Sequence, residues 1–423
     1  MQHTAVSTDI LVVGGGVSGI SAAVEAAEIG HKIVLIEKEP FLGGKAVRMS
    51  RYFPKLCPPA CGLELNFKRI KVNPGIKVFT MAVVEAIAGS EGDFKVSVRL
   101  LPRMVNDNCT ACGECETVCP VQRANDFNYG WDSTRAIYLP HVQAYPPTYT
   151  VDKEACTGSE CAKCVSACRY GAIDLQMREQ VITVNCSSII VTTGWESYDA
   201  ARLNRLGFGV YPNVITNMMM ERLASGAGLR DGRMVRPSDG KEISSIAFVQ
   251  CAGSRDVNHL SYCSGVCCMA SLKQATYIKE HNPDARVDIY YIDLRAQGTQ
   301  EDFYRRVQDM EGVSFIRGKV SRIKQDPATG DLFLEAEDTA QGKMVRQRVD
   351  MVVLATGMVP AATDWLPAGP GKESCGFMVS DLAGIYAAGC VKRPMDVGSS
   401  VRDATGAVLR AIESVRKGRS NGK

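Results

Sequence analysis

Apolar positions along this chain fall into two patterns. Residues 9–17, DILVVGGGV, form an unbroken apolar run stopped by glycine. A short run without polar alternation predicts a parallel strand buried on both faces. The next stretch, SGISAAVEAAEIG, is alanine-rich, has helical spacing and ends at Gly30. KIVLIEK then predicts a second strand ending at Glu37. Strand-like runs recur at SSIIVTTGW (187–195), KEISSIAFVQ (241–250), ARVDIYYIDLR (285–295), DMVVLATGM (350–358) and GIYAAGC (384–390). TQEDFYRRVQDM (299–310) carries a helical pattern. Buried strands alternating with helices predict an α/β fold with parallel sheets. Residues 121–150 break the pattern. They are rich in Tyr, Pro and Asn and predict irregular loop.

Gly14, Gly16 and Gly19 fit G-x-G-x-x-G between the first strand and the first helix. Glycines let a backbone approach a pyrophosphate, and a helix N-terminus offers free N–H groups to it. Glu37 lies 18 residues past Gly19, where an acid meets a ribose hydroxyl pair. The glycine motif alone also fits a tight turn without ligand. Strand, helix, strand and acid in order favour a dinucleotide held by Gly14, Gly15, Gly16, Val17, Ser18, Gly19, Glu37 and Lys38.

Length and composition narrow the class. At 423 residues, two or three domains are expected. Net charge is +3, from 49 basic and 46 acidic residues, and offers no electrostatic reason for a nucleic-acid partner. The N-terminus runs straight into the first strand, so no cleaved signal is expected. No apolar run approaches the ~18 residues of a membrane span, so no transmembrane segment is expected. Seventeen cysteines in a reducing cytoplasm predict metal ligands or redox thiols.

Residues 109–120, CTACGECETVCP, read C-x2-C-x2-C-x3-C-P, the bacterial ferredoxin run. A second group, CTGSECAKCVSAC, places Cys156, Cys161, Cys164 and Cys168, with a first gap of four residues. Three thiolates in one short loop wrap a cubane, and in two-cluster ferredoxins the fourth comes from the other run. One [4Fe–4S] cluster is therefore expected on Cys109, Cys112, Cys115 and Cys168. The other is expected on Cys156, Cys161, Cys164 and Cys119. Structural zinc is the alternative, but it usually takes two separated C-x2-C knuckles.

A second nicotinamide-type glycine loop should follow KEISSIAFVQ. Residues 251–268 instead read CAGSRDVNHLSYCSGVCC. No NAD(P)H site is expected here. Cys251, Cys263, Cys267 and Cys268 match no common zinc or disulfide spacing. They remain open to three readings: a third, unusually ligated [4Fe–4S] cluster, a thiol–disulfide site, or core packing.

The Gly14–Gly19 turn, Gly43 and Gly44 in EPFLGGKAV, Thr193–Gly194 and GIYAAGC together resemble the two-dinucleotide-binding-domain flavoproteins, of which thioredoxin reductase is a simple member. The resemblance implies that fold, with a two-cluster ferredoxin-like α+β module inserted. It implies FAD in the first domain, near Thr193, Gly194 and Gly389. Gly44, Lys45, Val84 and Cys390 are further expected flavin contacts. Cys390 stands where that family usually has an aspartate. The whole combination resembles the A-type iron–sulfur subunits of heterodisulfide reductases, through QCAGSRD, YCSGVCC, YYIDLR and AGCVKRPMDVGSSVRDATGA. That likeness implies a third cluster on the four cysteines, near the flavin.

The compact length and YFPKLCPPACGLELNFKRIK (52–71) are most similar to the branch in the quinone-interacting membrane-bound oxidoreductases of sulfate reducers. This implies an FAD and iron–sulfur electron-transfer subunit between the menaquinone pool and adenylylsulfate reductase. Its partners would be a quinone-reactive membrane subunit plus a second flavin/iron–sulfur subunit. It would be cytoplasmic, peripheral to the inner face of the membrane. The alternative is a subunit of a soluble heterodisulfide or thiol–disulfide reductase complex, with or without flavin-based bifurcation. A scaffold binding FAD structurally is a third reading.

The expected domains are 1–101 for the first part of the FAD domain and 102–180 for the inserted module. The FAD domain continues over 181–240. A second Rossmann-like domain spans 241–349, and the FAD domain closes over 350–423. Lys45 and Arg255 are candidate charges for tuning the flavin. Cys57 and Cys61 fit a thiol pair or a packed turn. Cys186, Cys375 and Cys390 read as core, and Met218, Met219 and Met220 as packing. The five histidines show no ligand spacing. No Ser/His/Asp or paired-carboxylate constellation is visible.

Overall fold

A computed structural model describes residues 4–225, 232–366, 375–378 and 382–421. The chain divides into two compact units. The first comprises Met1–Val47, Tyr52–Trp195 and Pro360–Lys423; the second comprises Arg48–Arg51 and Glu196–Val359.

The first unit is built on a five-stranded parallel sheet. Its order is Ile385–Ala387, Ser188–Val191, Ile10–Val13, Ile33–Glu37, Ile76–Thr80. The strands Ile10–Val13, Ile33–Glu37 and Ser188–Val191 are buried at every position, as unbroken apolar runs require. Helix Val17–Glu28 and the C-terminal helix Val397–Asn421 share one core with this sheet. Their contact is rich in alanine, including Ala22, Ala26, Ala404 and Ala411, so the two backbones can approach closely. A four-stranded sheet joins the core on the sheet's other face, through Val34, Ile36, Val96, Val98, Ile182 and Val184.

Strands Asp93–Leu100 and Gln180–Cys186 of that second layer pair antiparallel, Leu100 opposite Gln180. All residues between them leave the sheet at what would otherwise be a hairpin turn. This excursion has its own small core of Met104, Val105, Ile137, Tyr149, Val151 and Ile173, with cysteines packed against it. The stretch 121–150, expected as loop, holds short paired strands at Gln122–Ala124, Ser133–Arg135 and Ile137–Tyr138. Strands of two or three residues are too short to leave a readable period.

The second unit repeats the plan. Its parallel sheet runs Val214–Thr216, Met351–Thr356, Ser245–Ala252, Arg286–Tyr291, Val313–Arg317. Helices Cys267–His281 and Gln300–Gln308 connect these strands. An antiparallel excursion, Val320–Gln325, Leu332–Asp338 and Lys343–Val349, precedes the strand Met351–Thr356.

Two expected boundaries are corrected. Residues 196–240 and 350–359 belong to the second unit, not to the FAD domain. The reason is strand pairing: Val214–Thr216 pairs with Met351–Thr356, which pairs with Ser245–Ala252. The two Thr-Gly strand ends look alike in sequence, but 187–195 serves the first sheet and 350–358 the second.

Candidate functional site

The turn between Ile10–Val13 and Val17–Glu28 is closed to side chains. Gly14 has φ +108°, and a Cβ there would lie 2.4 Å from the Thr192 carbonyl oxygen. A Cβ on Gly19 would lie 1.8 Å from the Gly14 oxygen. Around Gly16 there is room, the nearest atom to a Cβ being Gly44 Cα at 4.0 Å. Gly43 N–H donates to the Gly15 oxygen at 2.7 Å, so the second glycine loop frames the first.

Glu37 is buried at the end of its strand, where it accepts from Gly15 N–H at 2.6 Å and Glu39 N–H at 2.9 Å. Burial pushes its carboxyl pKa up, and these two amides partly offset it. Val17 opens the helix half-buried, and Lys38 is exposed beside Glu37. Ser18 Oγ donates to Ser400 O at 3.3 Å. Gly389, at φ +75°, leaves 2.2 Å between its Cβ position and Ser18 Oγ. Thr193 Oγ1 is buried with no hydrogen-bond partner, and Gly194 has open space at φ +76°. A cradle that any Cβ would fill, an acid at the second strand end and an orphaned hydroxyl all fit FAD.

Three further expected contacts have partners within the protein. Val84 packs into the core with Phe94 and Val98, so its side chain is committed there. Lys45 lies over the Trp195 ring, 5.6 Å from its centroid. Cys390 is buried with Sγ 3.4 Å from Met395 O, its pKa raised by burial. The carboxylate at this corner is Asp403, which sequence reasoning missed. It accepts from Gly389 N–H at 2.9 Å and pairs with Lys392 Nζ at 3.0 Å. It sits 14 residues beyond Gly389, one face of a helix away, so no local motif announces it.

The insert brings its eight cysteines to two recesses. Cys109, Cys112, Cys115 and Cys168 line one, with about 330 Å³ of atom-free space. Cys119, Cys156, Cys161 and Cys164 line the other, with about 340 Å³. Each recess thus takes three thiols from one run and one from the other. Left-handed turns at Ala111, Gly113 and Ala162 fold the loops back so that the thiols converge. Gly158 N–H donates to Cys156 Sγ and Ala172 N–H to Cys168 Sγ, each at 3.4 Å. The remaining walls are largely apolar. Among the described residues, no three His, Cys, Asp or Glu side chains close on one point as ligands of a single ion would. Burial and neighbouring thiols push the Cys115 pKa up to about 12 and Cys164 upward, so a bound cation must displace protons. A set of soft sulfur donors around an apolar-walled recess fits an iron–sulfur group.

In the second unit, the strand Ser245–Ala252 runs into the cysteine loop with Cys251 at φ +55° and Gly253 at φ +75°. The loop folds on itself through Arg255 N–H to Tyr262 O and Leu260 N–H to Gly253 O. Cys267 and Cys268 open the helix Cys267–His281. Their thiols diverge, Cys267 towards Thr356 O at 3.4 Å and Cys268 towards Asp293 O at 3.9 Å. Burial raises both pKa values, and Cys251 and Cys263 add to each, so the four thiols share one neighbourhood. Gln250, Ser254 and Ser271 contribute buried polar atoms with no partner, Ser271 one helical turn after Cys267. These orphans fit a group with hydrogen-bond acceptors beside the thiols. Arg255, expected to tune the flavin, binds Asp293 and the Cys251 thiol.

Beneath the loop lies a buried network that no sequence motif signals. Lys273 Nζ pairs with Glu221 at 3.0 Å, and Glu221 also accepts from Gln274 at 2.7 Å and Tyr277 at 3.3 Å. His259 is held by Tyr198 OH at 2.6 Å. Outside these groups, Cys61 is exposed, Cys57 and Cys375 are half-buried, and Cys186 is core. Met218 and Met220 are buried.

Fold and cradle define an FAD-dependent oxidoreductase of the thioredoxin-reductase type. A family model described as FAD dependent oxidoreductase matches residues 9–88. The crystal structure of T. acidophilum thioredoxin reductase superposes with TM-score 0.54 at 16% identity, covering 96% of this chain and 98% of that one. Lactococcus lactis thioredoxin reductase gives TM-score 0.53 at 15% identity, covering 97% and 99%. At such identities the likeness concerns the fold.

Sequence relatives are more specific. The A-type iron–sulfur subunit of the CoB–CoM heterodisulfide reductase of Methanocaldococcus jannaschii is 38% identical over 95% of this chain and 63% of its own length. The A-type subunit of the H2:CoB–CoM heterodisulfide, ferredoxin reductase of Methanothermobacter marburgensis is 37% identical over 99% of this chain and 66% of its own. The chain spans just under two thirds of the length of these relatives. Over nearly its whole length it is similar to heterodisulfide reductase A-type iron–sulfur subunits.

Proposed function

We propose that this chain is the FAD- and iron–sulfur-bearing electron-transfer subunit of a heterodisulfide-reductase-type complex. The observation that carries the reading is the pair of four-thiol recesses in the same unit as the glycine cradle. FAD exchanges electrons in pairs or singly, and iron–sulfur groups exchange them singly, so their combination converts pair chemistry to single-electron transfer.

The residues divide the work. Gly14, Gly16 and Gly19 with the helix N-terminus take the pyrophosphate, and Glu37 takes the ribose. Thr193, Gly389 and Asp403 line the far side of the cradle. Cys109, Cys112, Cys115 and Cys168 hold one [4Fe–4S] cluster; Cys119, Cys156, Cys161 and Cys164 hold the second. Cys251, Cys263, Cys267 and Cys268 hold a third, with the orphaned donors of Gln250 and Ser271 beside it.

The names of the relatives favour a thiol or heterodisulfide partner over a quinone-linked complex. No described helix is long and apolar enough to cross a membrane. Menaquinone and adenylylsulfate reductase remain the competing outcome.

The test starts from the anaerobically prepared chain, and its partners are added for the turnover step. About twelve irons per FAD are expected, with about four lost in Cys168→Ala and about four in Cys119→Ala. Iron that these variants leave unchanged would sink the recess assignment. The reduced assembly is then offered a thiol heterodisulfide or a menaquinone analogue. Re-oxidation by the heterodisulfide is expected. Re-oxidation by the quinone alone would transfer the assignment to the quinone-linked branch.

A further inference from the structure

Arg103 stands at the root of the insert, and its guanidinium meets three segments. It donates to Thr148 O at 3.1 Å within the insert and to Pro40 O at 2.7 Å just after the strand Ile33–Glu37. It also donates to Thr80 Oγ1, the last residue of the strand Ile76–Thr80. Its own carbonyl accepts from Val151 N–H at 3.2 Å.

All three side-chain acceptors are neutral oxygens, and no carboxylate is among them. Two other arginines of the insert are neutralised: Arg123 pairs with Asp126 and Asp152, and Arg169 with Glu114. A half-buried cation whose hydrogen bonds all go to neutral oxygens costs desolvation energy. Burial draws the Arg103 pKa down to about 10, which still leaves it charged at neutral pH. Val105, two residues on from Arg103, and Tyr149, next to Thr148, line the first recess.

We propose that Arg103 is a positioning residue with two roles. It clamps the Cys109, Cys112, Cys115 and Cys168 recess to the FAD-binding sheet, and its charge raises the reduction potential of the group held there. The proposal rests on the iron–sulfur reading of the recesses. The physical reason is simple. Reduction adds one negative charge behind the thiolates, and a fixed, poorly hydrated cation stabilises that added charge. Three neutral oxygens orient the guanidinium without cancelling it.

The experiment is a redox titration followed by electron paramagnetic resonance on the full chain, with iron, sulfide and FAD assayed in each sample. The signal of the first recess is assigned by its disappearance in Cys112→Ala. In Arg103→Gln with full iron, the midpoint of that signal should fall while the signal of the other recess stays put. Arg103→Lys should keep the wild-type midpoint but melt at lower temperature, since the charge survives and the three-way clamp does not.

A Cys112-dependent midpoint that does not move in Arg103→Gln overturns the proposal. So does an equal shift in the glutamine and lysine variants, which would mark a purely structural effect. If Arg103→Gln cannot hold iron, the lysine variant decides: a wild-type midpoint with lowered melting supports the charge, and a shifted midpoint rejects it. Wild-type protein lacking any Cys112-dependent signal would defeat the iron–sulfur reading itself. Full iron with unmoved midpoints defeats only the role of Arg103.

Discussion

The two units place different chemistry at the same point of the same plan. In the first, the turn after strand Ile10–Val13 is GGGV and enters the helix Val17–Glu28 at once. In the second, the turn after strand Ser245–Ala252 is a 14-residue loop, 253–266, before the helix Cys267–His281. Both turns sit at the carboxyl end of the central strand, where open α/β sheets bind ligands. The short turn excludes side chains and exposes backbone N–H groups, which suits a phosphate. The long turn, with the strand end before it and the helix start after it, collects four thiols, two of them buried in the helix's first turn, which suits a soft metal group. Sheet topology therefore provides a location, and the residues of the turn decide what binds there.

Substitutions at the two turns should separate cleanly. The largest effect on cofactor content is expected from Gly19→Ala. Its Cβ would collide with the Gly14 oxygen at 1.8 Å. Overpacking there should cost roughly 1–3 kcal/mol, and FAD content should fall at least about tenfold. Iron content should hold. Retention of FAD by this variant would show that the cradle is not the cofactor site.

Next comes the cysteine turn. Cys267→Ala with Cys268→Ala should remove about four of about twelve irons while FAD stays bound. Unchanged iron would return these cysteines to a thiol pair or to packing, and alkylation with a disulfide trap would distinguish those two.

The effect expected below that turn falls on stability and not on cofactor content. Glu221→Gln leaves Lys273 buried without its counter-charge. Breaking such a pair costs about 3–5 kcal/mol. The second unit should melt earlier, with FAD retained. A melting curve identical to wild type would mean that water reaches Lys273.

The smallest effect is alkaline and belongs to the first unit, where Cys186, outside the insert, is a packing residue. Burial pushes its thiol from the ordinary 9.0 up to about 12. The unfolded chain releases this proton first as pH rises. Stability from the neutral thiol is therefore fully present below pH 9 and lost as pH rises through about 12. The slope should be about 1.4 kcal/mol per pH unit within that window. Urea unfolding at pH 8 to 10.5 measures it, and Cys186→Ala should remove that component. An unchanged slope would assign the alkaline loss to other groups.

Much of this protein is determined by sequence alone because the determinants are local. The strand–glycine–helix–acid series of residues 9–37 lies within one βαβ unit, so its ligand class is legible from spacing. The ferredoxin runs are local too: each loop bends its own three thiols inward. Absence of a glycine loop after KEISSIAFVQ is likewise visible along the chain.

Tertiary structure decided what depends on pairing across distance. Residues 196–240 and 350–359 joined the second unit because strands 214–216 and 351–356 pair there, and nothing in either run specifies its partner. Val84 became core because the four-stranded layer closes over it. Asp403 reached Gly389 only when the C-terminal helix packed on the sheet. The Arg103 clamp and the Glu221–Lys273 pair join segments 63 and 52 residues apart. A desolvated charge is defined by what surrounds it, and those surroundings exist only after folding.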